Sequence, residues 1–216
     1  ATKILAGHGA KVIMACRSLD KAKEAKQEII EELDDPDLEL MELDLSSLGS
    51  VESFAEEFRE GYDSLDILCN NAGLMALPRR ETEDGFEMQL GVNHLSHFAL
   101  TAHLIDMIVD SSGRVVNQSS MAHEDAKIDF DDLMGEEDYS KWGAYGQSKL
   151  ANLLFTYELD RRLNEKDIDV ESVGCHPGVS DTNLFKIGPK MEHSKLKLYF
   201  GKIFSKILGQ SPDKGC

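Results

Sequence analysis

The sequence predicts a doubly wound α/β domain built around a parallel, Rossmann-like sheet. Short runs of apolar and β-branched residues alternate with charged, amphipathic stretches along the chain. The apolar runs are nearly continuous, as expected for strands that are buried on both faces. The chain has 216 residues, of which 41% are hydrophobic and 29% charged, and this length and composition suit a single domain spanning 1–216.

The positions of the elements follow from the same alternation. We expect strands at 11–16, 38–43, 65–69, 114–118 and 170–175. We expect helices at 3–7, 19–33, 51–60, 85–109 and 144–164. In such a sheet the ligand crevice lies beyond the carboxyl ends of the strands. The residues that directly follow each strand are therefore the candidates for a functional site.

Charge and composition exclude several classes of protein. The formal net charge of −17 opposes binding to phosphate backbones, so we predict no nucleic-acid partner. No apolar run approaches the roughly 18 residues that a membrane span requires. The four cysteines are scattered, without the spacing of metal ligands, and we interpret them as reduced core thiols of a cytoplasmic protein.

Polar residues of particular types follow the third, fourth and fifth predicted strands. Asn70, Asn71, Ala72 and Gly73 come after the third strand, and Ser119 and Ser120 come after the fourth. The fifth strand is followed by a segment that reads, in order, His176, Pro177 and Gly178. Because the carboxyl ends of parallel strands meet at one edge of the sheet, these residues are expected to lie together.

Tyr145 and Lys149 are the strongest candidates for chemistry. They stand four residues apart at the start of a predicted helix, and so share one face. A free phenol has a pKa near 10, and an adjacent ammonium is expected to lower it. Tyr145 is then suited to act as a general acid or base on a substrate oxygen, while a serine hydroxyl polarises that oxygen.

These segments together resemble the classical short-chain dehydrogenase/reductase family. The elements NNAG, VNQSS, YGQSK and PG occur in the family's order and in matching strand or helix contexts. The ACRS segment, the stretch LPRRETEDGFEMQLGVNHLSHF and the SKLAN run resemble the branch of the retinol dehydrogenases and the WW-domain oxidoreductase. The resemblance implies an NADP(H)-dependent oxidoreductase that acts on a lipophilic, retinoid-like aldehyde, ketone or alcohol.

The resemblance also implies roles for individual residues. The catalytic set is Asn93, Ser120, Tyr145 and Lys149, with Ser120 chosen because the family's serine stands three residues after the strand asparagine. Asn93 matches the position that holds a water in a proton relay to the lysine. The same fold without turnover, as a nucleotide-binding regulatory protein, is the alternative. Ser120 as a cap of the next loop and Asn93 as a partner of backbone groups also stay open.

The coenzyme contacts implied by the resemblance are spread over the strand ends. Asp44 and Leu45 match the adenine contacts, and Arg17 stands where an NAD enzyme usually carries an acid, which favours NADP(H) over NAD(H). Asp20 lies nearby and could weaken that preference, and Asp44 could instead cap a helix. The other matches are Asn71, Ala72 and Gly73 under a ribose, Tyr145 and Lys149 at the nicotinamide end, and Pro177, Gly178 and Thr182 in the loop that closes on it.

Two segments depart from the family pattern. The family's first strand with its glycine-rich turn has no counterpart here, and the last strand is also missing, so we expect a domain truncated at both ends. Residues 183–216 match the family's substrate lid. From Lys186 onward this region contains seven lysines and two acidic residues, so contact with a membrane surface is a further reading. The resemblance also implies a homodimer formed through the long helices.

Two other functions fit single features of the sequence. Ser120 with His123 or His176 suggests a serine hydrolase, but no G-x-S-x-G motif surrounds this serine. His94, His97 and His103 share a predicted helix, but they lack the HExxH pattern and an acidic partner at matching spacing. We therefore predict neither a hydrolase nor a metal site.

Overall fold

The computed structural model describes residues 1–176 and residue 178. Five strands and six α-helices alternate through these residues. The strands are β1 (Val12–Cys16), β2 (Leu38–Glu42), β3 (Ile67–Asn70), β4 (Arg114–Gln118) and β5 (Glu171–Cys175). The helices are α1 (Thr2–Gly7), α2 (Leu19–Glu32), α3 (Leu48–Gly61), α4 (Met88–Leu90), α5 (Ser96–Asp110) and α6 (Lys141–Glu165). The predicted α/β class with parallel strands is confirmed.

The strands form two parallel sheets. One sheet has the order β1-β2, and the other has the order β3-β4-β5. Asn70 is in register with Asn117, and Gln118 with Cys175, so the carboxyl ends of β3, β4 and β5 lie side by side. Between residues 1 and 176, no strand pairs with the second edge of β1 or with that of β3. The described strands therefore lack a central member that would join the two sheets.

Helices α5 and α6 cover the same face of the three-stranded sheet. Leu68 and Val115 on that face join a core with Leu104 and Ile108 of α5. Ser172 on the same face donates its hydroxyl to the carbonyl of Thr156 in α6 (3.0 Å). The two layers place the start of α6 beside the end of β4.

The prediction that the cysteines lie in the core was wrong for the three that the structure describes, and Cys216 lies outside the described residues. Cys69 and Cys175 are exposed, and Cys16 is half-buried. Cys69 alternates with buried Leu68 along β3, so its side chain points to the face of the sheet opposite α5. The apolar character of the surrounding run does not reveal which face of a strand is covered.

The helix predicted at 85–109 is divided. A loop turns at Gly85, with φ +83°, and the side chain of Glu87 accepts the amide of Leu90 to cap α4. Residues Gly91–Leu95 then form a π-helical turn before α5 begins. Wide turns of this kind are frequently found at functional sites, and this one carries Asn93.

Helix α6 begins three residues earlier than predicted. The hydroxyl of Ser140 accepts the backbone N–H of Gly143 (3.3 Å), so Ser140 caps the helix at Lys141. The first turn of α6 therefore contains Trp142 and leads directly into Tyr145. Of the helices in the described residues, none combines the length and the apolar character that crossing a membrane would require.

Candidate active site

Tyr145, Ser120 and Lys149 meet where β4 ends and α6 begins. The Ser120 hydroxyl lies close enough to the Tyr145 side chain to favour the ionised form of the phenol. The Lys149 ammonium lies over the Tyr145 ring, 5.9 Å from its centroid. Ser120 also caps the short 3₁₀ turn Met121–His123 by accepting the amide of Ala122 (3.3 Å). The serine thus has both the contact with Tyr145 and the capping contact.

Burial changes the pKa of both ionisable groups in this cluster. Burial raises the pKa of Tyr145, and the nearby Ser120 hydroxyl, which favours the ionised phenol, opposes that rise. Burial lowers the pKa of Lys149 to about 8. The expectation that Lys149 brings the pKa of the phenol below its usual value was wrong for this arrangement. The ammonium lies over the ring, and the loss of solvation favours the neutral phenol.

The strand end of β4 holds Lys149 and its helix in place. The Gln118 carbonyl accepts the Lys149 Nζ (3.0 Å) and the Asn152 Nδ2 (3.0 Å). The Ser119 hydroxyl donates to the backbone carbonyl of Lys149 (2.8 Å). Of the two adjacent serines, Ser119 therefore anchors the helix, and Ser120 contacts Tyr145. Gln118, Asn152 and the anchoring role of Ser119 were not predicted from the sequence, although Asn152 stands one and two helical turns beyond Lys149 and Tyr145, respectively.

Asn93 joins the loop after β3 to helix α6. Its Oδ1 accepts the amide of Leu74 (2.7 Å), and its Nδ2 donates to the Leu74 carbonyl (2.9 Å) and to the Ser148 hydroxyl (2.9 Å). The residue is 0% exposed. The alternative that Asn93 bonds backbone groups is thus correct in part. The backbone groups that it bonds belong to Leu74, in a separate loop.

Gly73 lies between Asn93 and Lys149. A Cβ atom at Gly73 would lie 3.2 Å from the Asn93 Oδ1 and 3.4 Å from the Lys149 Nζ. Asn71 and Ala72, which precede it, are exposed. The predicted NNAG segment therefore passes directly beside the lysine, and the absence of a side chain at Gly73 allows that approach.

Arg17 and Asp44 lie together at the carboxyl ends of β1 and β2. Their Nε and Oδ2 atoms are 4.0 Å apart, and the Arg17 side chain is 70% exposed. The other Asp44 oxygen accepts the amide (2.9 Å) and the hydroxyl (2.7 Å) of Ser46, while Ser47 is the N-cap of α3. Asp20 pairs with Lys23 (3.5 Å). Arg17 thus offers a positive, accessible side chain at this end of the site.

Leu45 and the loop after β5 complete the predicted coenzyme residues. The carbonyl of Leu45 accepts a hydrogen bond from the hydroxyl of Ser96 (2.7 Å), and the Leu45 side chain is buried. The amide of Gly178 donates to His176 Nδ1 (3.2 Å), and its φ of +66° suits glycine. Pro177, Thr182 and the lid predicted at 183–216 lie outside the described residues.

Apolar side chains surround Tyr145. Met75 and Ala76 form a buried cluster with it, against which Ala122 packs. The ring of Trp142 meets the ring of Tyr145 edge to face, with centroids 6.1 Å apart. Trp142 is 53% exposed and Met121, next to Ser120, is 48% exposed. The surface beside the phenol is therefore apolar and accessible.

Two buried amide groups behind the strand ends retain unused hydrogen-bonding capacity. Asn70 Nδ2 donates to Asn117 Oδ1 (2.9 Å) and to the hydroxyl of Thr101 (3.0 Å). Asn70 Oδ1 and Asn117 Nδ2 have no partner within the described part of the chain. An acceptor and a donor at adjacent strand ends suit a small polar group such as water.

The contacts of the histidines differ from those of a hydrolase or a metal site. His123 Nδ1 faces the backbone carbonyl of Ser120 (2.6 Å) and not the Ser120 hydroxyl, which lies beside the Tyr145 side chain. His94 Nδ1 faces Asn152 (3.1 Å), and His97 Nδ1 faces the Asn93 carbonyl (3.0 Å). Within residues 1–176, no three His, Cys, Asp or Glu side chains come together as a metal site.

The pattern of the family described as short chain dehydrogenase matches residues 1–192. The chain belongs to the short-chain dehydrogenase family. Human retinol dehydrogenase 13 is 46% identical over 182 residues, which are 83% of this chain and 54% of that protein. Human retinol dehydrogenase 12 is 44% identical over 202 residues, which are 93% of this chain and 61% of that protein. The chain thus spans little more than half of these short-chain dehydrogenases.

Solved structures show the same fold. A putative uncharacterised protein from Mycobacterium paratuberculosis has a TM-score of 0.75 at 43% identity, over 92% of this chain and 69% of its own. The closed form of serine dehydrogenase complexed with NADP⁺ has a TM-score of 0.73 at 21% identity, over 99% of this chain and 79% of its own. The second likeness concerns the short-chain dehydrogenase fold alone.

The residues present fit the two ends of a nicotinamide coenzyme. The exposed Arg17 guanidinium suits a phosphate or ribose at the adenosine end. At the other end, the open backbone at Gly73 and the ammonium of Lys149 suit a ribose hydroxyl. The glycine-rich turn that cradles the pyrophosphate in this fold has no counterpart in the described residues.

Proposed function

We propose that the protein containing this chain is an NADP(H)-dependent oxidoreductase that interconverts a carbonyl group and an alcohol. The observation that carries the proposal is that the Lys149 ammonium lies over the Tyr145 ring, 5.9 Å from its centroid, with the Ser120 hydroxyl beside the same side chain. Two neighbouring hydroxyl groups, one on buried Tyr145 and one on half-buried Ser120, can both reach one substrate oxygen. When bound, the nicotinamide supplies or accepts the hydride.

The chain's own residues handle the oxygen and its proton. The Ser120 hydroxyl donates to the carbonyl oxygen and so stabilises the charge that develops there. Tyr145 gives its phenolic proton to that oxygen during reduction and removes it during oxidation. A pKa raised by burial keeps Tyr145 protonated at neutral pH, which suits the direction of reduction. Lys149 binds a ribose hydroxyl and keeps a positive charge close to the phenol.

The apolar surface around Tyr145 supports a lipophilic substrate. Met75, Ala76 and Ala122 pack beside the phenol, while Trp142 and Met121 are accessible next to it. Burial of a hydrocarbon chain against such side chains favours binding by about 25 cal/mol for each Å² removed from water. A retinoid-like aldehyde or alcohol matches this surface, in line with the names of the curated relatives.

NADP(H) is the coenzyme we propose, because Arg17 offers a guanidinium to a 2′-phosphate. Exchange of Arg17 for glutamate should raise KM for NADPH by about 10-fold or more, since it removes a charged hydrogen bond worth ~1.5–3 kcal/mol. KM for NADH should change far less. Equal effects on both coenzymes would contradict this part of the proposal.

The test is turnover by the full-length protein with a series of aldehydes and NADPH. Exchange of Tyr145 for phenylalanine should lower kcat by about 10²–10⁴-fold, as expected for loss of a general acid. Tyr157→Phe is the matched control, because Tyr157 lies on the same helix and is 65% exposed. Coenzyme binding without turnover of any aldehyde or alcohol would instead support the catalytically silent regulatory protein.

A further inference from the structure

His97 is a buried histidine that the proposed chemistry does not use. It lies at the start of α5, is 5% exposed, and places Nδ1 3.0 Å from the backbone carbonyl of Asn93. A carbonyl oxygen only accepts hydrogen bonds, so the proton must be on Nδ1. Burial lowers the pKa of His97 to about 4, and the imidazole is therefore neutral at pH 7.

The residue that His97 holds is central to the candidate site. Asn93 lies in the π-helical turn, and its amide connects Leu74 to Ser148. Ser148 in turn donates its hydroxyl to the Tyr145 carbonyl (2.7 Å) and stands next to Lys149. A displacement of the Asn93 backbone would therefore be transmitted to the turn of α6 that carries both candidate catalytic side chains.

The backbone of His97 is itself fixed from the sheet. Its carbonyl accepts the hydroxyl of Thr101 (2.8 Å), which accepts the Nδ2 of Asn70 (3.0 Å). Asn70 belongs to β3. A continuous series of hydrogen bonds thus runs from a strand end, through α5, to the π-helical turn.

We propose that His97 is a positioning residue, whose neutral imidazole donates from Nδ1 to the Asn93 carbonyl and so holds the Asn93 amide against Leu74 and Ser148. The proposal rests on the oxidoreductase function proposed above. This role differs from that of a residue that only fills space in the core, because an apolar side chain of similar shape could not perform it. A donor is required at the δ position of residue 97.

Asparagine and leucine provide the matched pair of variants in the full-length protein. Both have two heavy atoms on Cγ, and the Nδ2 of asparagine occupies the same covalent position as the Nδ1 of histidine. His97→Asn should keep kcat within about fivefold of the wild type, because it retains a neutral hydrogen bond. His97→Leu should lower kcat by about 10–100-fold through misplacement of the site, with little change in KM.

His103→Leu is the control, because His103 is exposed on the same helix. It should leave kcat unchanged, and melting temperatures should show that all three variants fold. The proposal is overturned if the leucine variant equals the asparagine variant or the wild type in kcat. A wild type that turns over no substrate contradicts the proposed function instead, and the following measurement then still decides the role of His97.

Nitrogen-15 NMR of histidine-labelled protein reads the geometry without any turnover. The signals of His97, assigned by their loss in His97→Asn, should show a neutral ring with the proton on Nδ1 at pH 6. A ring protonated on Nε2 alone would refute the proposed hydrogen bond, and a ring that is charged at pH 6 would refute the neutral donor. The other histidine signals should be unchanged by the substitution, which shows that the fold is intact.

Discussion

Burial controls the ionisation of the side chains in this site more strongly than the pairing of Tyr145 with Lys149. Both residues are almost fully enclosed, and each loses the solvation that stabilises its charged form. The phenol is thereby kept as an acid, while the ammonium titrates close to physiological pH. Of the two side chains, Lys149 is thus the one whose charge changes with small changes in pH near neutrality.

Lys149 should set the upper limit of the pH profile for reduction. With a pKa of about 8 in the free protein, Lys149 is charged below that pH and loses its charge as pH rises through it. We therefore expect kcat/KM for aldehyde reduction to fall above about pH 8, since this parameter reports ionisation in the free enzyme. In Lys149→Arg, whose guanidinium stays charged, the residual activity should show no fall in this range. A fall that persists would assign it to another group.

Trp142 should report directly on substrate binding. It is the single tryptophan of the sequence, and its ring stands edge to face with Tyr145. A lipophilic aldehyde should quench or shift its emission, and the signal should vanish in Trp142→Phe. Trp142→Ala should raise KM for a long-chain aldehyde by about 10-fold or more, and change KM for a short one little. Ile30→Ala, an exposed apolar position on α2, is the control.

Among the elements, the first three turns of α6 carry two of the four catalytic candidates, Tyr145 and Lys149. Its N-cap at Ser140 sets where the helix begins, and the bonds of Ser119 and Gln118 fix it to the end of β4. Gly146, between the tyrosine and the lysine, lets the helix approach the 3₁₀ turn after Ser120. A Cβ atom there would lie 2.8 Å from the carbonyl oxygen of Ala122.

Gly146→Ala should therefore separate Ser120 from Tyr145. Alanine is the better helix former by roughly 1 kcal/mol, but the contact with backbone forces α6 or the 3₁₀ turn to move. We expect a lower kcat and a free energy of unfolding reduced by about 1–3 kcal/mol. Gly61→Ala is the control, because nothing lies within 4 Å of a Cβ atom at the end of α3. A variant with undiminished kcat would show that this close approach has no role in the site.

In the molecule as a whole, α5 and α6 together present an exposed aromatic surface, and α6 also carries Tyr145 and Lys149. The rings of Phe98 and Phe155 lie 5.3 Å apart across the two helices. Phe98, Leu154 and Tyr157 are 51%, 50% and 65% exposed, respectively. Exposed apolar patches of this kind frequently mark an interface between proteins. The predicted homodimer through the long helices is compatible with this surface.

A charged substitution in that surface tests the dimer. Phe98→Asp should convert the full-length protein to a monomer, because an unpaired carboxylate is costly to bury in an interface. Size-exclusion chromatography with light scattering measures the mass of each variant. Phe130→Asp is the control, since Phe130 is 84% exposed on the acidic loop before α6. A wild type that is monomeric, or a variant that remains dimeric, contradicts this assignment of the interface.

Several properties were readable from the order of the residues. The alternation of apolar runs and amphipathic stretches predicted all five described strands, because side-chain period and strand length are local properties. The spacing of Tyr145 and Lys149 placed them on one helix, and the motifs identified the family. The cytoplasmic location, the lid at 183–216, its contact with a membrane and the roles of the site residues stay predictions.

The contacts between distant segments were decided only in three dimensions. The hydrogen bonds of Asn93 to Leu74 and Ser148, and that of Ser119 to Lys149, join residues that are 19 to 55 positions apart in the sequence. The π-helical turn at Gly91–Leu95 was also not predicted from the sequence. The pKa shifts of Tyr145, Lys149 and His97 depend on how completely other elements exclude water from them. Solvent exclusion is a property of the packed chain, and no local pattern of residues encodes it.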